Sequence, residues 1–211
     1  MRVIGTASVF RHGATLYTDV FPDLAEEGLA IVGGSVQEVA RRFPKEPRFV
    51  SSPAVRALGT TSRAMEAYGM AWREEDVRIE PALGPIHVAD AAKAFARFDE
   101  VTHGLTNPLE VHRVWDRFYM EHPDYEAGVL CESRSSARQR FLGFLPGVPA
   151  MASPERHVVI VTHIETIGCA IHQWFGLDGD YFGPGEAAHF EFLGGGGLRV
   201  EFRGRRKVIA F

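Results

Sequence analysis

The stretch His157-Val158-Val159-Ile160-Val161-Thr162-His163 limits the fold more than any other segment of the chain. Its apolar residues run without the polar alternation of a half-exposed strand. Both faces must therefore be covered, as in the centre of a parallel sheet. It leads into a helical pattern from Ile164 to Phe175 that stops at Gly176. Residues 2–10 are mostly apolar or small with β-branched members, and read as a second buried strand ending at Arg11-His12-Gly13. A third short strand, Arg48-Phe49-Val50-Ser51-Ser52-Pro53, ends at a turn and is followed by a helix from about Ala54 to Tyr68, with Gly69 as its stop.

Between these segments, Leu29, Val32, Val36, Val39, Ala40 and Phe43 fall at helical spacing within 24–43, and Pro44 and Pro47 are expected to close that helix. Val77 to Leu83 reads as a strand broken at Pro81. Residues 85–154 are mainly helical in pattern, with candidates at Ala89–Val101, Pro108–Glu121 and Ser133–Leu145. The C-terminal part changes character. His189–Leu193, Leu198–Arg203 and Lys207–Phe211, separated by the Gly194–Gly197 tract and Gly204, read as a hairpin and one further strand. The fold expected is α/β, a three-layer α/β/α sandwich with a mostly parallel mixed sheet. One domain spans 1–211, with a small helical cap insertion at about 86–131.

Composition removes several classes of function. Apolar residues make up 45% and charged residues 24%, with a formal net charge of −4, so no basic stripe is present for nucleic acid. Arg205-Arg206-Lys207 reads as a solvated turn between strands. Cys131 and Cys169 lack metal-ligand spacing, and the nine histidines form no H-E-x-x-H pair. Neither a signal-peptide pattern nor a run near 20 apolar residues is present. The expectation is a soluble, cytoplasmic protein that binds neither membrane nor nucleic acid and needs no metal or other cofactor.

Arg11-His12-Gly13 lies where open α/β sheets place ligands, at the carboxyl end of a strand. Neutral imidazole is a competent nucleophile, arginine offers paired donors to an anion, and glycine lets the backbone approach a ligand closely. The tripeptide alone is a weak signal. Arg56 adds a second cation in the first turn of a helix, where anions are favoured. His163 ends the strongest strand. Two histidines and two arginines at strand ends fit one task, binding a phosphate and attacking it.

The ordered set Arg11-His12-Gly13-Ala14-Thr15, Leu24-Ala25-Glu26-Glu27-Gly28, Ser51-Ser52-Pro53-Ala54-Val55-Arg56-Ala57-Leu58-Gly59-Thr60, Glu132-Ser133 and Val159-Ile160-Val161-Thr162-His163 resembles the histidine phosphatase superfamily, in its phosphoglycerate-mutase-like branch. Gly183-Pro184-Gly185-Glu186 is similar to the family's C-terminal region. The resemblance implies that His12 is phosphorylated and that Arg11, Arg56 and His163 hold the phosphoryl oxygens. Water or a second hydroxyl then accepts the group, and no metal is required. Thr15 either helps to position the phosphate or stabilises its turn.

Three departures stand out. Thr18 replaces an asparagine common in the family, and Ala25 a threonine. Pro85 occupies the position where a glutamate often serves as acid, and proline cannot donate a proton. Glu165, two residues past His163, is the preferred replacement, with Glu80 and Asp90 as the other candidates. The leading expectation is a phosphomonoesterase of the histidine acid phosphatase type acting on a small phosphorylated substrate, alone or as a homodimer. A phosphoglycerate-type mutase and a non-catalytic phospho-ligand binder are the alternatives. The 86–131 stretch offers Lys93, Arg97, Arg113 and Arg117 against Asp90, Asp99, Glu100, Glu110, Asp116, Glu121, Asp124 and Glu126. That balance speaks against a highly anionic substrate.

Overall fold

The computed structural model describes residues 1–16, 23–123, 125, 128, 131–177 and 179–210. Thr18, Asp124 and Glu126, named above, lie outside the described residues, as does Phe211. A seven-stranded sheet has the order β5-β4-β6-β1-β7-β8-β9. Its parallel half comprises β1 (Val3–Arg11), β4 (Glu46–Ser51), β5 (Val77–Ile79) and β6 (Arg156–Thr162). The antiparallel half adds β7 (Ala187–Leu193), β8 (Gly197–Phe202) and β9 (Arg205–Ala210). Strands β2 (Thr15–Leu16) and β3 (Asp23–Leu24) form a separate two-stranded ladder.

The apolar run of β6 divides between two cores. Val158 and Ile160 face one side with Ala7, Val9, Phe141 and Ile171. Val159 and Val161 face the other with Phe10, Val32, Val36, Phe49 and Ala57. This is the physical reason for an unbroken hydrophobic strand: neither face meets water. Helices α1 (Glu26–Arg42) and α2 (Val55–Ala67) cover the second face. Helices α5 (Arg134–Phe144) and α6 (Cys169–Phe175) cover the first. Helices α3 (Ala91–Thr102) and α4 (Pro108–Glu121) pack together, and α4 also touches α1 and β2.

Three expectations change in detail. Pro47 lies within β4 opposite His157, rather than after a helix end. It is tolerated because β5 pairs with β4 only from Phe49 onward, leaving the early part of β4 as an edge. The expected strand 77–83 stops at Ile79, and Pro81–Leu83 forms a single 3₁₀ turn capped by the Glu80 carboxylate, which accepts from the Ala82 N–H. The helix after β6 begins as a π-helical turn, Ile164–Gly168, before becoming α-helical. Such wide turns recur at functional sites. No described helix is long and apolar enough to cross a membrane.

Candidate phosphate-binding site

The carboxyl ends of β1, β4 and β6 are tied together by backbone hydrogen bonds. The His12 N–H donates to the Thr162 carbonyl at 3.0 Å, and the Ser52 N–H donates to that of Val161 at 2.9 Å. The loop after β1 is enclosed on two further sides. The Gly185 N–H reaches the carbonyls of Arg11 and His12, each at 3.2 Å, and Gly185 has φ +73°, a conformation suited to glycine. On the other side α1 packs directly on the loop. A Cβ on Gly13 would sit 2.8 Å from the Gly28 carbonyl oxygen, and one on Gly28 only 2.3 Å from that of Ala14. Gly13 therefore makes room for a helix, whereas the sequence suggested close approach to a ligand.

His12 is buried, and its Nδ1 lies 2.6 Å from the Gly13 carbonyl. A carbonyl only accepts, so Nδ1 carries the proton and Nε2 keeps its lone pair. The Arg56 Nε–H points at that lone pair from 3.2 Å. The His163 ring centroid lies 4.9 Å from that of His12. His163 Nε2 is 2.7 Å from Ser52 Oγ, and its buried Nδ1 has no partner among the described residues. Burial holds the His12 pKa well below its ordinary value, helped by the neighbouring His163, Arg56, Arg11 and His112. Burial and the two arginines Arg56 and Arg11 do the same for His163. Both rings are neutral near pH 7, which a nitrogen nucleophile requires.

Two residues of this centre were not anticipated from the sequence, and both come from α4. Asp116 receives both terminal nitrogens of Arg11: Nη1 on Oδ2, and Nη2 on Oδ1 at 2.8 Å. His112 Nδ1 lies 2.9 Å from Arg11 Nη2, while its Nε2 accepts the Thr15 N–H at 2.8 Å and lies 3.0 Å from Thr15 Oγ1. Burial, then Arg11 and Arg56, keeps His112 neutral. Thr15 is thus engaged with His112. The signal was present but weak: His112, Asp116, Tyr119 and Met120 share the buried face of an amphipathic helix, with two polar residues four apart.

Among the acid candidates, Glu80 caps its own turn and pairs with Arg78, while Asp90 is the exposed N-cap of α3 and pairs with Lys93. The structure does not bring either to His12. Glu132 spends both oxygens on Arg140, which in turn holds the carbonyls of Ala82, Gly84 and Pro85. Glu165 is buried in the π turn beyond His163, and its Oε2 has no partner among the described residues; no hydrogen bond among them joins it to His12. The groups it couples to electrostatically include Asp116, Tyr119, Cys131 and Cys169. Among the described residues, no group of three or more His, Cys, Asp or Glu side chains is arranged to hold a metal ion.

A parallel-sheet edge carrying two neutral imidazoles and two guanidinium groups defines an anion-handling α/β enzyme class. The histidine phosphatase superfamily (branch 1) matches residues 8–188. The chain belongs to that family, and is accordingly an enzyme of the phosphatase or mutase type. Solved structures with similar folds include a mycobacterial glucosyl-3-phosphoglycerate phosphatase, at 19% identity and TM-score 0.59, covering 98% of both chains. Bacillus stearothermophilus YhfR aligns at 16% identity and TM-score 0.62, covering 94% of this chain and 96% of its own. A phosphoglycerate mutase from Bacillus anthracis aligns at 16% identity and TM-score 0.56, covering 99% of this chain and 93% of its own. No curated protein matches the chain.

Proposed function

We propose that the protein is a metal-independent phosphomonoesterase that works through a phosphohistidine on His12. The observation that carries this reading is the Nδ1 contact to the Gly13 carbonyl at 2.6 Å, which leaves Nε2 unprotonated, its lone pair met only by the Arg56 Nε–H among the described residues. In the proposed reaction Nε2 attacks phosphorus, the Nε2–P bond forms, and the ester P–O bond breaks. Arg56, Arg11 and His163 stabilise the charge on the non-bridging oxygens. The leaving oxygen takes a proton from Glu165. This is the carboxylate favoured here because Asp116 and Glu132 have both oxygens committed, whereas Glu165 keeps one buried and free. Water then attacks phosphorus while passing a proton back to the Glu165 carboxylate, the Nε2–P bond breaks, and phosphate and the free imidazole are released.

Hydrolysis is favoured over mutase chemistry by the cations available. The arginines felt by His163 are Arg56, Arg11 and Arg140, and Arg140 is tied to Glu132. The residues at 17–22 next to the pocket in sequence are Tyr-Thr-Asp-Val-Phe-Pro and contain no base. A mutase must hold a doubly phosphorylated intermediate, which calls for more free cations than these.

Rapid quench under single-turnover conditions with p-nitrophenyl phosphate tests the reading. The expected result is an acid-labile, base-stable phosphoenzyme, unaffected by chelator and missing in His12→Ala. Turnover without that species would overturn it.

A further inference from the structure

The turn between β8 and β9 consists of Arg203 and Gly204, with φ +47° and +72°. Two positive φ angles are what so tight a hairpin demands, and Asn-Gly or Gly-Gly meets that demand with least strain. Among the described residues Arg203 is the only non-glycine with a positive φ. Its side chain gives a reason for its place there. All five guanidinium N–H groups are spent on the loop at 180–186. Nε donates to Glu186 Oε1 and Nη2 to Glu186 Oε2, both at 2.8 Å. Nη2 also donates to the Tyr181 carbonyl at 3.0 Å. Nη1 donates to the Asp180 carbonyl at 3.0 Å and to Asp180 Oδ2 at 2.7 Å. The guanidinium lies 4.9 Å over the Phe202 ring, which in turn stacks on the buried Phe182 at 5.0 Å.

The same loop grips the strand end that carries the nucleophile. The Phe182 carbonyl accepts from Arg11 Nη1 at 2.7 Å, and the Glu186 carbonyl accepts the Arg11 backbone N–H at 3.1 Å. The Gly185 N–H reaches the carbonyls of Arg11 and His12. Residues 179–186 form neither helix nor strand, so no ladder of their own fixes their course. Glu186 links the two sets of contacts, because its Oε2 also accepts the Gly183 N–H at 2.6 Å. We propose that Arg203 is a positioning residue, clasping the 180–186 loop in the shape that holds Arg11 and the His12 backbone for phosphoryl transfer. One side chain on a hairpin turn supplies the order that backbone pairing does not. The strained turn conformation of Arg203 is maintained by the five bonds it makes. The reacting groups need placement to a fraction of an ångström, so a residue that never meets the substrate still governs the rate. The proposal rests on the phosphohistidine reading only in taking His12 and Arg11 to be the groups that require placing.

Arg203→Gly removes the clasp and leaves a residue at home in the turn, so the hairpin is kept. Amide hydrogen exchange of the whole protein should show the Gly185 N–H exchanging about 10-fold faster or more in this variant, with the β7–β8 ladder at wild-type rates. On p-nitrophenyl phosphate kcat should fall by about 10-fold or more. Orthovanadate, which mimics five-coordinate phosphorus, should bind more weakly by a similar factor, and inorganic phosphate much less so. A residue that only shaped the turn would move neither Gly185 nor orthovanadate binding. Glu186→Gln breaks the clasp from its other side, so the double variant should be no slower than the slower single one. Unchanged Gly185 exchange, wild-type kcat in folded Arg203→Gly, or additive losses in the double variant overturns the proposal. Should Arg203→Gly fail to fold, Arg203→Asn, also suited to the turn, carries the same test. Lost Gly185 protection and orthovanadate affinity in a protein that never forms a phosphoenzyme would refute the nucleophile reading and leave this one standing.

Discussion

Acid should unfold this protein earlier than its surface charges require, and the reason lies outside the active centre. On the sheet face beneath α1, a chain of hydrogen bonds crosses three strands. Thr6 Oγ1 lies 2.9 Å from His157 Nδ1, His157 Nε2 lies 2.9 Å from Ser8 Oγ, and Ser8 Oγ lies 2.9 Å from His189 Nδ1. Phe43 stacks on His157 at 4.1 Å and seals it from water. Burial lowers the His157 pKa from 6.5 to about 3 and that of His189 to about 4. Since both folded pKa values lie below the unfolded one, the unfolded chain binds protons first as pH falls. Stability is therefore intact above about pH 6.5 and declines down to about pH 4 for the His189 contribution and about pH 3 for that of His157. From pH 7.5 to pH 5 each imidazole removes about 2 kcal/mol, a large part of a typical domain stability of about 5–15 kcal/mol. His12, His112 and His163 act in the same direction. Asp116 acts oppositely, because burial raises its pKa and the folded state takes up that proton first. Glu201, lowered from 4.5 to about 2, loses its contribution as pH falls from about 4.5 to about 2, below the pH 7.5 to 5 range. Urea unfolding across this range measures the slope of stability with pH. His157→Gln lowers stability at pH 7.5, yet its slope near pH 5.5 should be shallower by about 1.2 kcal/mol per pH unit, because one titrating group is gone. An unchanged slope would show that His157 does not titrate differently in the two states.

Two further outcomes follow from the site. Gly28→Ala places a methyl group 2.3 Å from the Ala14 carbonyl oxygen. It should cost about 3 kcal/mol or more in urea unfolding and reduce phosphoenzyme yield, and an unshifted midpoint refutes that packing. Glu165→Gln should slow hydrolysis of an alkyl phosphate by about 10²-fold or more and that of an aryl phosphate much less. Equal rates for both proteins on both substrates exclude Glu165 as the acid.

What the sequence revealed and what it hid have separate physical causes. β6 was legible because coverage on both faces leaves an unbroken apolar run, and the alternation of Val158 and Ile160 with Val159 and Val161 between two cores accounts for every residue in it. His12, Arg56 and His163 were legible because strand ends and a helix start announce themselves locally. The π turn was hidden, since Ile164–Phe175 carries one continuous helical pattern and the widening depends on what lies around it. His112 and Asp116 were hidden for a different reason. Each meets Arg11 across about a hundred residues of chain, and a polar pair on a helix otherwise lined by Trp115, Phe118 and Tyr119 reads as surface until the helix is docked.

The neutralised Arg11 also bears on which substrates the site can hold. Three neutral imidazoles carry no charge to the phosphate. Arg11 enters the pocket already paired with Asp116, so Arg56, partly exposed at the start of α2, supplies the one full charge adjoining His12 that lacks a carboxylate partner among the described residues. A phosphomonoester dianion is then met by one net positive charge and by oriented N–H groups from Arg11 and His163. A second phosphate would bring two further negative charges to a neighbourhood where Arg140 is already held by Glu132. On the phosphomonoesterase reading proposed above, electrostatics of this kind would favour esters with a single phosphate and an uncharged remainder. The selection is built from Asp116, a residue that need never touch the substrate.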